Sequence, residues 1–316
     1  MPRFLITGIG GDVAQGICRV IRESFSDVVI VGSDISDKHA GLLFVDFFKL
    51  VPRADSNTYV TSIKSLIKEF NVDILIPTSE PEIEVLTKLS KSILPCKTLT
   101  PGRKVVRFCL DKFETNRFLD SIGLDVPWTI KSDEGLPREY PCIFKGAKGA
   151  GSKLLYIVED ELEARYLKKK HSHTVFQELL LPDDKEITCA IFRSSLDTIA
   201  VLQLQRSLVG GATSWARVIF DPEIDRVCRL IAKELELVGS MNIQLRLTED
   251  GPRIFEINPR FSSTVYMRYL IGFNDVLWSI NDHLGIESRF PGIPVNTELV
   301  RIFDSKILVS KVGKVN

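Results

Sequence analysis

The sequence predicts a mixed chain, with a parallel α/β domain first and α+β units behind it. Two observations lead to this. Over the first hundred residues, apolar runs alternate with helical periodicities in the order βαβα, the signature of a parallel sheet covered by helices. Beyond residue 100 the texture becomes strand-rich, with short apolar runs around a few charged helices. A length of 316 residues is long for one core, so two or three packed units are expected.

The elements follow in order. RFLIT is a short apolar strand, DVAQGICRVIRESF spaces its apolar residues as a helix does, and VVIVGSD is a second strand ending at Asp34. SNTYVTSIKSLIKEF (helix), VDILIPTSE (strand) and EIEVLTKLSK (helix) complete a unit spanning 1–100. Residues 101–125 read as a helical connector, interrupted around Asp111 and stopped by Gly123. In 126–178 the strands VPWTI, YPCIFKG, KLLYIV and TVFQEL surround one charged helix, EDELEARYLKKK. In 179–316, the strands ITCAIF, TIAVLQLQ and SWARVIF precede the helix PEIDRVCRLIAKELEL and a hairpin, SMNIQLRLTEDGPRIFEIN, turning at Asp250-Gly251.

Composition narrows the function. Lys+Arg and Asp+Glu both count 41, so no net charge draws the chain to nucleic acid or an anionic membrane. No apolar run approaches the ~20 residues that span a bilayer, and the N-terminus lacks a signal-peptide layout. Six cysteines (18, 96, 109, 142, 189, 228) without a CxxC point to reduced thiols and a cytoplasmic location. Four histidines with no HExxH make a zinc site unexpected; His171 and His173 flank Ser172 in a lysine-rich surface stretch.

Four stretches could carry chemistry. In FEINPR, Glu256 and Asn258 leave a strand on one face, while Phe255 and Ile257 point the other way, toward a core. Two oxygen-bearing side chains followed by Arg260 suit a metal–phosphate site; this stretch taken alone favours instead the solvated face of an amphipathic strand. If the hairpin tip is an odd-length loop centred on Asp250, Gln244 faces Glu256. Gln244, Glu256 and Asn258 then form an oxygen-rich patch suited to Mg²⁺; another loop length would slip the register. KGAKGAGSK (145–153) offers glycine backbone and three lysines to an anion, or is a basic surface hairpin; it does not match the GxxxxGK[ST] phosphate loop. VFQELLLPDDKEIT could present backbone to a purine edge and Glu186 to ribose. Asp111-Lys112 sets a lysine at a helix start, within reach of a phosphate or simply solvated.

Taken along the chain, Asp111-Lys112, KGAKGAGSK, VFQELLLPDDKEIT and FEINPR resemble an ATP-grasp enzyme, closest to the ATP-binding halves of the carbamoyl-phosphate synthase large subunit and more loosely similar to biotin carboxylase and D-alanine ligases. The resemblance implies an ATP-grasp fold with an N-terminal Rossmann-like pre-ATP-grasp domain (1–100), a lid subdomain (126–178) and a C-terminal subdomain (179–316). It assigns Lys112 and Lys145 to the ATP phosphates, and the loop with Gly149, Gly151 and Ser152 to the lid. Glu178, Leu179 and Leu180 fall at adenine, and Glu186 at ribose. Gln244, Glu256 and Asn258 fall at the two Mg²⁺ ions (Mn²⁺ being an alternative), and Arg260 at a phosphorylated intermediate. It implies an ATP- and Mg²⁺-dependent ligase that activates a carboxylate as an acylphosphate and joins it to an amine. Partners would be small molecules, with neither nucleic acid nor membrane and a possible homodimer. A further arginine, three residues after the NPR arginine in carbamoyl-phosphate synthase, is here Ser263; with a length of about one synthetase half, this points away from bicarbonate. Arg206, Arg217 and Arg301 are candidates for an acidic substrate, or incidental surface arginines.

Two rival readings accompany this one. ITGIGGDVAQG with Asp34 outlines a dinucleotide-binding unit, and Tyr166, Lys170 and Ser152 imitate the set of NAD(P)-dependent short-chain dehydrogenases and epimerases. Against it, Tyr166 lies in a charged, exposed-looking helix, and FEINPR is left without a role. The second rival is an ATP-grasp scaffold that binds nucleotide without catalysis.

Overall fold

The computed structural model describes residues 1–90, 93–149, 154–182 and 184–308. The N-terminal region runs β1 (Arg3–Thr7), α1 (Asp12–Ser24), β2 (Val29–Asp34), β3 (Phe47–Leu50), α2 (Tyr59–Glu69), β4 (Ile74–Ile76), α3 (Glu80–Lys88) and β5 (Lys97–Thr98). Its sheet is parallel, in the order β3-β2-β1-β4-β5. The short outer strands β3 and β5 escape the sequence patterns; β3 carries no buried residue to leave an apolar signal. The apolar stripe of α1 (Val13, Ile17, Val20, Ile21) is buried, and burying such a side chain is worth roughly 1.5–3 kcal/mol.

The connector is two helices, α4 (Arg103–Cys109) and α5 (Lys112–Ser121). Asp111 ends the first and caps the second, its carboxylate accepting from the backbone N–H of Phe113 and Glu114. Next comes a small antiparallel sheet of β6 (Thr129–Lys131), β7 (Cys142–Gly146), β8 (Leu155–Val158) and β9 (Thr174–Glu178), ordered β6-β9-β7-β8, with α6 (Glu161–Lys170) on one face. Alternation sends Cys142, Phe144 and Phe176 to the α6 face, into a core with Ala164 and Leu167. Lys145 and Gln177 go to the other face.

The third sheet is antiparallel and six-stranded. It comprises β10 (Glu186–Arg193), β11 (Ile199–Val209), β12 (Ala212–Ile219), then after α7 (Pro222–Glu234) β13 (Gly239–Thr248) and β14 (Gly251–Asn258), and after α8 (Val265–Leu270) and α9 (Asp275–Leu284) the edge strand β15 (Glu298–Val300). Its order is β14-β13-β10-β11-β12-β15. One face is apolar throughout: Ile187, Cys189, Ile191, Ile243, Leu245, Ile254 and Ile257 pack with residues of α4, α5 and α7. The other face is graded. At its apolar end, Ala190, Phe192, Leu202 and Leu204 pack with Met267, Phe273 and Trp278. At its polar end, cross-strand rows of charged and amide side chains face the small sheet.

The chain then returns to its start. Val265, Val276 and Ile280 enter the core built around α1, and α8 lies so close that a Cβ on Gly16 would stand 2.5 Å from Val265 Cγ1. Beneath them, fully buried Arg268 makes a two-pronged ion pair with Asp275 (2.8 and 2.6 Å) and bonds Ser262 and Thr264. This network braces the segment after FEINPR, and the Ser240 hydroxyl on β13, donating to Asp275 Oδ2, ties it to the third sheet.

Candidate nucleotide and phosphoryl-transfer site

The hairpin sets Gln244 opposite Glu256 and Asn242 opposite Asn258, but not by the expected route. The tip is a two-residue loop, Glu249-Asp250, closed between Thr248 and Gly251, rather than an odd loop centred on Asp250. That loop alone would set Gln244 opposite Phe255. A β-bulge inserts Phe255 as an extra residue and restores the register. Phe255 is accordingly no core residue. Its carbonyl oxygen accepts from Lys145 Nζ at 3.4 Å, and its ring centroid lies 5.6 Å from the same nitrogen.

Lys145 reaches this hairpin from the inner face of the small sheet. It is 6% exposed and donates to Gln177 Oε1 at 2.7 Å; Gln177 in turn donates to Thr129 Oγ1 at 2.9 Å. Burial pulls its pKa down to about 8, with Glu256 opposing and Lys112 adding to the fall. Lys112, at the first position of α5, donates to the Gly149 carbonyl at 2.8 Å and stands 3.5 Å from Glu256 Oε1. Two lysines therefore converge on one carboxylate. Gly149 adopts a left-handed φ of +96°. Gly151 and Ser152 lie outside the described residues.

At the other end of the row, Arg260 Nη2 donates to Asn258 Oδ1 (3.3 Å), and its Nη1 donates to the Phe261 carbonyl (2.9 Å). Its Nε lies 3.4 Å from Glu80 Oε1. Glu80 is the residue that sequence reasoning missed. It opens α3 at the carboxyl end of β4, where parallel sheets bind ligands, and that position was its only signal in TSEPE. Burial raises its pKa; Arg260 opposes the rise and Glu256 reinforces it.

Hard oxygen donors collect here. Glu256, Asn258 and Gln244 share the polar face, and the Gln244 amide makes no hydrogen bond among the described residues. Asn242, one row along, accepts from Thr188 Oγ1 (2.9 Å) while its buried Nδ2 has no partner. One carboxylate and neutral amides fit Mg²⁺ where a polyphosphate supplies the remaining anionic oxygens.

The hinge between the sheets runs from Glu178 to Glu186. Glu178 accepts from Trp128 N (3.1 Å) and Arg253 Nη2 (2.9 Å), so its side chain ties the hinge to the hairpin. Leu180 is buried, its carbonyl accepting from Arg246 Nη1 at 2.6 Å, and Leu179 beside it is half-buried. Glu186 sits between Arg206 (2.9 and 2.5 Å) and Arg246 (3.5 Å) in a row across three strands. Arg206 is thus engaged with Glu186. Arg217 occupies the opposite face of the sheet, half-exposed and paired with Glu298 (2.6 Å), away from the residues above. Arg301 donates to the Thr213 and Ser263 carbonyls and anchors the segment beyond β15.

The glycine turn at the start of the chain is engaged by the protein's own side chains. Asp34 accepts from Gly10 N (2.8 Å), Ile35 N (2.7 Å) and Ser36 N (3.2 Å), and the His39 ring packs so close that a Cβ on Gly10 would lie 2.8 Å from it. Tyr166 is exposed on the outer face of α6, with Lys170 Nζ 5.5 Å above its ring.

Comparison with known proteins bears on the fold that carries these residues. A family model described as ATP-grasp in the biosynthetic pathway with Ter operon matches residues 175–301. The chain carries an ATP-grasp domain. In front of it, residues 4–98 match a model described as PylC-like, N-terminal domain. The tyramine–L-glutamate ligase of Methanocaldococcus jannaschii is 22% identical over 241 residues, covering 73% of this chain and 72% of the ligase. An N5-carboxyaminoimidazole ribonucleotide synthetase in its ADP complex superposes with a TM-score of 0.74 at 17% identity, covering 94% of this chain and 80% of that one. The biotin carboxylase domain of Hydrogenobacter thermophilus 2-oxoglutarate carboxylase, a dimer holding MgADP, ADP and bicarbonate, gives 0.73 at 15%, covering 93% and 73%. At these identities the structural likeness is one of fold. The resemblance to carbamoyl-phosphate synthase drawn from the motifs is distant; synthetases and biotin carboxylases of the kinds just described share the ATP-grasp fold over nearly the whole chain. Among the described residues no helix is long and apolar enough to cross a membrane.

Proposed function

We propose that the protein is an ATP-dependent carboxylate–amine ligase. The observation that carries this is the convergence of Lys112, Lys145, Glu256, Asn258 and Arg260, from two sheets and a helix start, along the polar end of the β13–β14 hairpin. The ATP-grasp domain, the tyramine–L-glutamate ligase and the ADP-bound synthetase support it.

In this reading Lys145 and Lys112 hold the ATP phosphates, with Gly149, Gly151 and Ser152 in the loop over them. The hinge at Glu178, Leu179 and Leu180 borders adenine, and Glu186, held by two arginines, meets ribose. Gln244, Glu256 and Asn258 would hold Mg²⁺, or Mn²⁺ in its place, which when bound neutralises charge on the phosphates. A substrate carboxylate oxygen attacks the γ-phosphorus and ADP leaves; the amine nitrogen then attacks the acyl carbon, phosphate leaves, and the nitrogen gives up one proton. Arg260 faces the acylphosphate, where a fixed guanidinium stabilises developing negative charge. Glu80, beside it, is placed to meet the incoming amine. Arg206 serves by orienting Glu186. Arg217 has no part. The six unpaired cysteines support a cytoplasmic location, and the dimeric carboxylase domain supports a homodimer.

The test is ligand-induced stabilisation of the full chain. ATP with Mg²⁺ at ~100 times its Kd should add about 2.7 kcal/mol. Glu256→Gln should remove the Mg²⁺ dependence and, once acceptors are screened by ADP release, turnover. Stabilisation by NAD(P)H and not by ATP would overturn the proposal.

A further inference from the structure

A second cleft, of about 460 Å³, opens between α3 and α4 beside Lys148. Its charged lining is Lys88, Arg103, Arg107 and Lys148, against Glu84 and Asp111. The acids do not neutralise it. Asp111 is occupied as the cap of α5, and Glu84 is shared between Lys88 (2.8 Å) and Lys148 (3.8 Å). Among the described residues Arg103 donates to the Thr87 and Leu89 carbonyls alone, which carry no net charge. Arg107 lies 5.0 Å over the Phe108 ring and meets no carboxylate among the described residues. The floor is apolar, Val106 and Leu110, and in the wall the buried hydroxyl of Thr87 has no hydrogen-bond partner among the described residues.

The cleft and the reacting end lie on the same helix. Glu80, beside Arg260, opens α3; Glu84 follows one turn later and Lys88 two turns later. At 1.5 Å per residue this sets the cationic lining roughly 6–12 Å from Glu80, about the length of a small metabolite.

We propose that this cleft binds an oligoanionic arm, phosphate or clustered carboxylates, of the co-substrate whose other end meets Arg260 and Glu80. The proposal rests on the ligase reading for the identity of that other end, but the anion site itself does not. Arg103 and Arg107, one turn apart on α4, present guanidinium groups that pair with planar or tetrahedral oxyanions. Lys88 and Lys148 lose little by turning from Glu84 to a stronger anion, since solvent-screened pairs of this kind contribute little.

The experiment is calorimetric titration of the full chain with inorganic pyrophosphate and, separately, with citrate. A non-hydrolysable ATP analogue with Mg²⁺ is held saturating, so that Lys112 and Lys145 are occupied. One anion should bind per chain, more weakly as salt rises. Arg107→Glu with Lys88→Ala should reduce that affinity at least tenfold and leave the analogue's affinity within about twofold. Binding of pyrophosphate alone identifies a phosphorylated arm; binding of citrate alone identifies a carboxylate-bearing one. No binding by the wild type, or equal binding by the double variant, would overturn the proposal. If the analogue itself fails to bind, the ligase reading falls. The anion titration, repeated without nucleotide and compared between Arg107→Glu and Lys145→Ala, then still decides the cleft.

Discussion

Replacing Lys145 by methionine should make the free protein more stable near neutral pH while removing nucleotide binding. The Lys145 ammonium is buried, and its pKa falls from 10.5 to about 8 because burial outweighs the attraction of Glu256. Between those values the unfolded chain holds the extra proton, so stability rises with pH across the window and the full penalty is present below about pH 8. At about 1.4 kcal/mol per pKa unit the penalty is on the order of 3 kcal/mol. Methionine removes it but leaves Gln177 Oε1 without the donor now 2.7 Å away, which costs about 1–2 kcal/mol. The net expectation at pH 7 is a gain of about 1–2 kcal/mol, shrinking as pH rises past 8 and reversing above about pH 9.5. Urea unfolding of both proteins at several pH values between 7 and 10 reads this directly. A variant less stable than the wild type at pH 7, with a gap that does not change with pH, would refute the reasoning. The same linkage predicts proton uptake when ATP binds near pH 8, because the phosphates return the ammonium to its charged form. Calorimetry in two buffers of different ionisation enthalpy measures it.

Other perturbations probe the frame around the site. Gly16→Ala brings a methyl to 2.5 Å from Val265 Cγ1 and should cost about 1–3 kcal/mol by forcing α1 and α8 apart, measured by thermal unfolding. Arg268→Ala leaves Asp275 buried and unpaired; a loss of about 3–5 kcal/mol in urea unfolding is expected, and a loss under 1 kcal/mol would mean that the pair is dispensable. Glu256→Gln removes the pair with Lys112 at 3.5 Å and also the attraction that Glu256 exerts on the buried Lys145 ammonium; it should lower the Lys145 pKa further, cost stability at pH 7 in urea unfolding, and eliminate Mg²⁺-dependent ADP release.

Much of this architecture is legible residue by residue. Alternation of period two set Glu256 and Asn258 on one face. Asp111 read as the interruption between two helices because a short carboxylate at that position satisfies backbone N–H groups locally. Features carried by short or unburied segments were not legible: β3 and β15 hold few or no buried residues, so no periodicity marks them.

The sequence by itself determined the alternation of strand and helix in the first hundred residues, the residue types that can meet phosphate and metal, and the shared face of Glu256 and Asn258, since these depend on local spacing. Tertiary structure decided which of those residues meet. The expected pairing of Gln244 with Glu256 holds only because a two-residue turn and the bulge at Phe255 compensate, and backbone departures of this kind leave no pattern in the side chains. Glu80 joins Arg260, and Arg206 is claimed by Glu186 rather than left for a substrate. Such electrostatic partnerships act over a few ångströms between segments far apart in the chain. Only packing the N-terminal domain against the C-terminal helices, and folding the two sheets face to face, brings the charges within that range.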